Sequence, residues 1–171
     1  EGLVGSEMCI RDSAHIDTGW LWPVRETVRK TARTFATQLS IIESYPEYIF
    51  GASQPQHYQF MKDQYPEIYA KIKEAVKSGN WEVQGGMWVE ADCNLISGES
   101  MVRQLLHGKN FFKDEFDIVV DNLWLPDVFG YSAALPQILK RAGVNYFLTQ
   151  KLSWSHFNDL PHQTFNWRGL D

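Results

Sequence analysis

Apolar residues recur every three or four positions in several stretches of the chain, which is the spacing of one face of an amphipathic helix. The longest such stretch follows Pro23, a residue that suits the first turn of a helix, and it ends before Pro46. Its apolar positions are Val24, Val28, Ala32, Phe35, Leu39 and Ile42. The pattern therefore predicts one long helix near the start of the chain.

Two further regions show the same helical spacing. The first begins near Gln56, restarts at Pro66 and stops at Gly79, a residue type that favours the left-handed conformation found at helix ends. The second is capped by Ser97 or Ser100, and its apolar positions are Val102, Leu105, Leu106 and Phe112. Each helix is predicted to bury one side and expose the other.

Short apolar runs separate these helices and predict buried strands at residues 48–52, 81–85, 122–125 and 144–148. Strands and helices thus alternate with short links, an order that favours a parallel sheet covered by helices. The pattern does not distinguish a closed barrel from an open, doubly wound sheet. We predict one such unit over residues 14–171. Residues 1–13 show neither the helical spacing nor the alternation of a strand, and we interpret them as a foreign or disordered segment.

Composition narrows the classes of function. The net charge of −5 is spread without a long block of like charges, so nucleic acid is not an expected partner. The chain has no apolar run of about eighteen residues, so we expect no membrane span. Its 2 cysteines cannot build a disulfide framework, which favours a reducing compartment. A length of 171 residues is short of the roughly 250 of a complete α/β barrel, so we expect an incomplete unit.

Acidic and imidazole side chains collect where strands are predicted to end, the edge at which parallel α/β folds bind ligands. His15 and Asp17 stand two residues apart in extended chain, so both side chains point to one side and suit a divalent metal. Asp127 follows the strand at 122–125, a position that suits a nucleophile or a metal ligand. Structural roles remain open, because Asp17 can cap the first helix and Asp127 can cap a turn.

Two glycines and a group of polar and aromatic residues follow the strand at 81–85. Glycines let the backbone approach a ligand closely, so Trp88 is a candidate for the wall of a sugar subsite. Glu90 and Asp92 are candidates for bonds to sugar hydroxyls. A loop that is stabilised by its own polar groups explains each of these residues equally well.

Taken together, three segments resemble glycoside hydrolase family 38, the class II α-mannosidases. They read His-Ile-Asp-Thr-Gly-Trp-Leu-Trp-Pro at 15–23, Gly-Gly-Met-Trp-Val-Glu-Ala-Asp-Cys-Asn-Leu at 85–95 and Trp-Leu-Pro-Asp-Val-Phe-Gly-Tyr at 124–131. They occur in the order that the family has. The sequence of residues 149–154 most resembles the cytosolic and bacterial branch of the family, which implies a cytoplasmic location.

The resemblance implies specific roles. His15, Asp17 and Asp127 are expected to bind a divalent metal, zinc or cobalt, and Asp127 is also expected to be the catalytic nucleophile. Trp20 is expected to contact the mannose, and Trp88 and Lys151 are further substrate-binding candidates. The implied fold is a barrel of seven parallel strands. The implied reaction is retaining hydrolysis of terminal α-mannosidic bonds in oligosaccharides, by enzymes that are often homo-oligomers.

The chain also departs from the family. The family's second metal-binding histidine and its general acid lie downstream of the nucleophile, and the candidates here are His156, Asp159, His162 and Asp171. None stands in a matching context, so we interpret all of them as loop residues and expect the 171-residue chain to be nearly inactive. Two alternatives are a metal-dependent sugar deacetylase and a glycan-binding domain without catalysis.

Overall fold

The computed structural model describes residues 11–171, in which helices and strands alternate along the chain. The strands are β1 (Asp12–Ser13), β2 (Phe50–Ala52), β3 (Trp81–Val83), β4 (Asn122–Leu125) and β5 (Tyr146–Thr149). The helices are α1 (Val24–Ser44), α2 (Pro55–Gln64), α3 (Pro66–Ser78), α4 (Gly98–Phe116) and α5 (Leu135–Arg141), and a 3₁₀ helix follows at Lys151–Trp154. Our interpretation of residues 1–13 falls mostly outside the described residues, although Asp12 and Ser13 form β1.

All strand pairs among the described residues are parallel, as the alternating pattern predicts. β1, β2 and β3 form one sheet, in which Phe50 pairs with Trp81. β4 and β5 form a second sheet, in which Asn122 pairs with Tyr146. The parallel α/β architecture is thus confirmed, while closure into a barrel stays a prediction.

The helix boundaries follow from local chemistry. Pro23 precedes α1 in an extended conformation, and the helix ends at Ser44, just before Pro46. Gly79 ends α3 with a φ of 84°, and its N–H donates to the carbonyls of the last helical turn. Ser97 caps α4, because its hydroxyl accepts a hydrogen bond from the backbone N–H of Ser100.

The prediction for the buried face of α4 is wrong at two positions. Val102 and Leu106 are 47% and 52% exposed, whereas the buried positions include Leu105 and Phe112. One residue of helix corresponds to about 100° of rotation, so Val102 and Leu106 lie well off the stripe that begins at Met101. The four apolar residues that are predicted to be buried lie on two neighbouring faces of the helix. Tertiary packing buries the face with Leu105 and Phe112 and leaves the face with Val102 and Leu106 exposed.

An aromatic core lies between the first sheet and its helices. The ring of Trp81 packs edge-on against Phe35 and Phe50, with ring centroids 5.0 and 4.7 Å apart. Its indole N–H donates to the Tyr58 hydroxyl, which in turn donates to the carbonyl of Ala52. A second core joins α4 and α5 to the second sheet through Leu105, Leu123, Leu125, Leu135 and Leu139. The two cores fix the carboxyl ends of the strands, where the polar loops begin.

Within residues 11–171, no helix combines the length and the apolar character needed to cross a membrane.

Candidate metal centre

Three side chains that the sequence places after separate strands meet at one point. His15 and Asp17 follow β1, and Asp127 follows β4. Nε2 of His15 lies 3.2 Å from Oδ1 of Asp17 and 3.2 Å from Oδ2 of Asp127. One ligand atom from each residue lies within 4.8 Å of the others. The structure therefore brings together the residues that the sequence assigns to a metal.

The spacing of these atoms fits a metal ion. Tetrahedral zinc has bonds of about 2.0–2.1 Å to nitrogen and oxygen, which places its ligand atoms about 3.3 Å apart. The two observed separations of 3.2 Å from Nε2 of His15 to the carboxylate oxygens are close to this value, and the ligand atoms of the two aspartates lie within 4.8 Å of each other. One imidazole and two carboxylates also form a suitable donor set for zinc or cobalt.

Glu90 approaches His15 from the opposite edge of the imidazole ring. Oε2 of Glu90 lies 3.0 Å from Nδ1 of His15, at ion-pair distance, and it is a buried oxygen without a hydrogen-bond partner among the described residues. The Glu90 side chain is only 6% exposed. Burial lowers the pKa of His15, but the carboxylates of Glu90 and Asp17 outweigh this effect and raise the pKa to about 9. Residue type suggests that Glu90 bonds sugar hydroxyls, and nothing in the sequence pairs it with His15.

The two oxygens of Asp127 face different partners. Oδ2 faces His15, and Oδ1 lies 2.6 Å from Nζ of Lys151. The Lys151 ammonium in turn lies over the ring of Trp154, 4.0 Å from its centroid. Asp127 is thus held between a candidate metal position on one side and a fixed positive charge on the other.

A buried polar network lies behind the three residues. Gln54 has a left-handed backbone, with φ of 62° and ψ of 84°, which is unusual for a residue with a side chain. Its amide N–H₂ donates to the carbonyl of Ile16, and its amide oxygen accepts from the Thr18 hydroxyl. Because Thr18 donates to Gln54, the neutral His57 ring donates its Nε2–H to the same hydroxyl. Burial and then the positive charge of His15 lower the pKa of His57 to about 3, which keeps His57 neutral.

The three candidate ligands line a small cavity, and Trp20 lies in an exposed loop. A cavity of about 140 Å³ contains His15, Asp17 and Asp127 in its lining, together with Gln54 and Glu90. Trp20 is 59% exposed in the loop that follows Asp17. The three acids and the histidine therefore share one small concave site.

Trp88 and Asp92 contact other parts of the chain. The Trp88 indole donates to Oε1 of Gln56 and packs edge-on against Phe111 at 5.5 Å. Asp92 accepts hydrogen bonds from the backbone N–H groups of Asn94 and Leu95. These contacts correspond to the loop-stabilising roles that the sequence leaves open for this segment.

The acidic and imidazole candidates downstream of Asp127 are all exposed. Asp159, His162 and Asp171 line a broad trough of about 1140 Å³ beside α5 and β5, and His156 is an exposed loop residue. None of these side chains lines the cavity that contains His15.

Comparison with known proteins relates the chain to glycosyl hydrolases. The model of the glycosyl hydrolases family 38 N-terminal domain matches residues 8–171. Alpha-mannosidase 2C1 of Homo sapiens is 54% identical over 157 residues, which cover 92% of this chain and 15% of that protein. An alpha-mannosidase of Saccharomyces cerevisiae is 44% identical over 160 residues, which cover 93% of this chain and 15% of that protein.

A solved structure shows the same arrangement of elements. The crystal structure of an alpha-mannosidase from Enterococcus faecalis V583 aligns with a TM-score of 0.73 and 27% identity. The alignment covers 80% of this chain and 16% of that one. The chain thus spans about 15% of the length of the curated relatives it matches. With the family match covering nearly all of its residues, the chain belongs to the N-terminal domain family of the family 38 glycosyl hydrolases.

Proposed function

We propose that a protein carrying this chain at the length of its relatives is a retaining, metal-assisted α-mannosidase. The observation that supports this most is the convergence of His15, Asp17 and Asp127 at metal-ligand spacing. These three residues would hold a zinc or cobalt ion. When bound, such an ion acts as a Lewis acid that binds sugar hydroxyls and stabilises charge in the transition state.

Asp127 is proposed to be the nucleophile. Its carboxylate attacks the anomeric carbon, so a carbon–oxygen bond forms to Asp127 while the glycosidic bond breaks and the leaving oxygen takes a proton from a general acid. Water then hydrolyses the ester, which retains the anomeric configuration. Because Oδ2 faces His15, Oδ1 is the oxygen available for attack, and Lys151 is its neighbour at 2.6 Å. Lys151 would hold this carboxylate in place beside the cavity.

The proposed substrate is a mannose-containing oligosaccharide. Mannose carries an axial hydroxyl at carbon 2, so its hydroxyls at carbons 2 and 3 are cis and can chelate a cation. Trp20 and Lys151 are proposed to contact this sugar. Trp88 is a further candidate for sugar binding, although it does not line the cavity. A cytoplasmic location and a homo-oligomeric state also stay predictions from the resemblance.

The general acid is proposed to come from outside the residues that line the cavity. His156, Asp159, His162 and Asp171 do not line it. General acid catalysis contributes about 10²–10⁴-fold to the rate. The 171-residue chain alone is therefore expected to be nearly inactive towards α-mannosides.

Covalent trapping tests the proposed nucleophile. A version extended to the length of its relatives is treated with a fluorinated mannosyl donor, and the labelled peptide is sequenced by mass spectrometry. The label should fall on Asp127 and should be absent from the Asp127→Asn variant, while Asp121→Asn, an exposed control before β4, should still be labelled.

Other outcomes favour the alternatives. Metal binding and deacetylation of sugars without any label would indicate that Asp127 and His15 activate water. Glycan binding with neither metal nor label would indicate a non-catalytic module. Either result would contradict the proposal.

A further inference from the structure

We propose that Glu90 is a positioning residue that orients His15 for metal binding. The inference rests on the proposed metal site and extends it to a residue that is not itself a ligand. Two observations support it: Oε2 of Glu90 lies beside Nδ1 of His15, and Oε1 of Glu90 is held by Ser53 and Gln54.

The two nitrogens of His15 face different groups. Nε2 faces the oxygens of Asp17 and Asp127 at 3.2 Å, whereas Nδ1 faces Oε2 of Glu90 at 3.0 Å. A carboxylate only accepts hydrogen bonds, so at this distance a hydrogen on Nδ1 is favoured and a lone pair on Nδ1 is disfavoured. A metal ion would then take the place of the proton on Nε2, towards the two aspartates, while Nδ1 keeps its hydrogen. Glu90 therefore selects the tautomer that the metal site requires.

Glu90 lies where it cannot share the ion. The nitrogens of an imidazole ring point away from each other, so a group hydrogen-bonded to Nδ1 lies on the far side from a metal on Nε2. A histidine ligand in a metal site commonly donates its other N–H to a carboxylate, which fixes the ring and makes the ligand more basic. The arrangement of His15 and Glu90 has this form.

The Glu90 carboxylate is itself fixed by neighbouring loops. Oε1 accepts a hydrogen bond from the Ser53 hydroxyl at 2.7 Å and from the Gln54 amide at 3.4 Å. The backbone N–H of Glu90 donates to Oε1 of Gln54, and that of Val89 donates to Oε1 of Gln104 in α4. Loops after β2 and β3 thus hold Glu90 against the ring that follows β1.

This geometry argues against a direct role for Glu90 in sugar binding. Its side chain is 6% exposed, Oε1 is occupied by Ser53 and Gln54, and Oε2 faces His15. A buried carboxylate is costly unless its oxygens are paired, and His15 is the group that lies within reach of the otherwise unsatisfied Oε2. The role consistent with these contacts is the orientation of His15.

Zinc affinity tests the inference directly. The dissociation constant is measured on a version extended to the length of its relatives by competition with a chromophoric chelator, after circular dichroism has shown that each variant keeps its helices. Glu90→Gln keeps the size of the side chain but removes its charge, and we expect zinc to bind about 10- to 100-fold more weakly. Glu82→Gln is the matched control, because Glu82 pairs with Arg11 and does not line the cavity, so its zinc affinity should be unchanged.

A second variant and a spectroscopic readout separate positioning from folding. Ser53→Ala removes a donor to Oε1 of Glu90 and should weaken zinc binding in the same direction by a smaller factor. Nitrogen-15 shifts of His15 in the zinc-bound chain should show a protonated Nδ1 and a metal-bound Nε2. A metal-bound Nδ1 would overturn the inference.

The outcomes distinguish this inference from the proposed function. If the unmodified chain binds zinc and Glu90→Gln binds it equally well, the role of Glu90 is wrong and the metal site stands. If the unmodified, folded protein at the length of its relatives binds no zinc, both the metal site and the role of Glu90 are wrong.

Discussion

Gly108 in α4 allows the close approach between this helix and the segment that leads to Glu90. A Cβ atom at position 108 would lie 2.3 Å from the carbonyl oxygen of Gly86, 2.7 Å from the carbonyl carbon of Met87 and 2.8 Å from the nitrogen of Trp88. All three are backbone atoms, so no side-chain rotation can relieve the contact. Gly108→Ala should therefore push α4 and this segment apart.

The expected cost follows from two opposing effects. A carbon–oxygen contact is comfortable near roughly 3.3 Å, so the backbone must move by about 1 Å. Overpacking of this kind costs about 1–3 kcal/mol, and a backbone clash belongs at or above the upper end. Alanine in a helix interior recovers about 1 kcal/mol relative to glycine. We expect a net loss of about 2 kcal/mol in the free energy of unfolding.

Urea unfolding followed by tryptophan fluorescence measures this loss, with Gly98→Ala as the matched control. Gly98 lies at the start of the same helix, where an added Cβ atom would meet no other atom within 4 Å, so the control should unfold at an unchanged or slightly higher urea concentration. Gly108→Ala should also weaken zinc binding, because Gln104 of α4 holds both Trp88 and Val89 by hydrogen bonds. A Gly108→Ala protein as stable as the unmodified chain would refute the reasoning.

Two further predictions concern stability. Burial acts to raise the pKa of Glu115, but hydrogen bonds from Lys62, Tyr69 and a second lysine lower it from 4.5 to about 2. This contribution to stability is present above pH 4.5 and is lost as the pH falls towards 2. Glu115→Gln should therefore lower the free energy of unfolding at pH 7, and the two proteins should have similar free energies of unfolding near pH 2, as measured by urea titration. Trp81→Ala should cost about 3–5 kcal/mol, because it empties the aromatic core and removes the donor to Tyr58, and a loss below about 1 kcal/mol would contradict the packing described.

The sequence predicts the candidate ligands because their positions depend on local rules. His15 and Asp17 stand two residues apart in extended chain, and Asp127 lies two residues after the end of a hydrophobic strand. The sequence-based expectation assumes one parallel sheet, in which the carboxyl ends of the strands meet at one edge. In the structure β1 and β4 belong to different sheets, and the residues that follow them still lie together. Their mutual distances confirm that expectation of proximity.

The contact between Glu90 and His15 could not be predicted in the same way. It depends on the loop after β3 folding back over the loop after β2, which is guided by the left-handed backbone of Gln54 and by Gln104 on α4. Neither feature has a signal in a single sequence, because a left-handed glutamine and a side-chain-to-backbone contact both arise from tertiary packing. Residue type alone therefore suggests the commoner role of binding sugar hydroxyls.

The faces of α4 and the division of the strands into two sheets show the same limit. Val102 and Leu106 have the spacing of a buried stripe, yet the buried face of α4 is the one that contains Gly108, and they are exposed. Alternation of strands and helices predicts parallel pairing, which the structure has, but it carries no information on which strands pair. Pairing depends on how the two hydrophobic cores pack.

Anomalous X-ray diffraction from crystals of the chain grown with zinc tests the central claim most directly. We expect one anomalous peak, at about 2.0–2.2 Å from Nε2 of His15 and from a carboxylate oxygen of both Asp17 and Asp127. A zinc peak elsewhere, or one that contacts His15 and Asp17 while Asp127 lies out of reach, would contradict it.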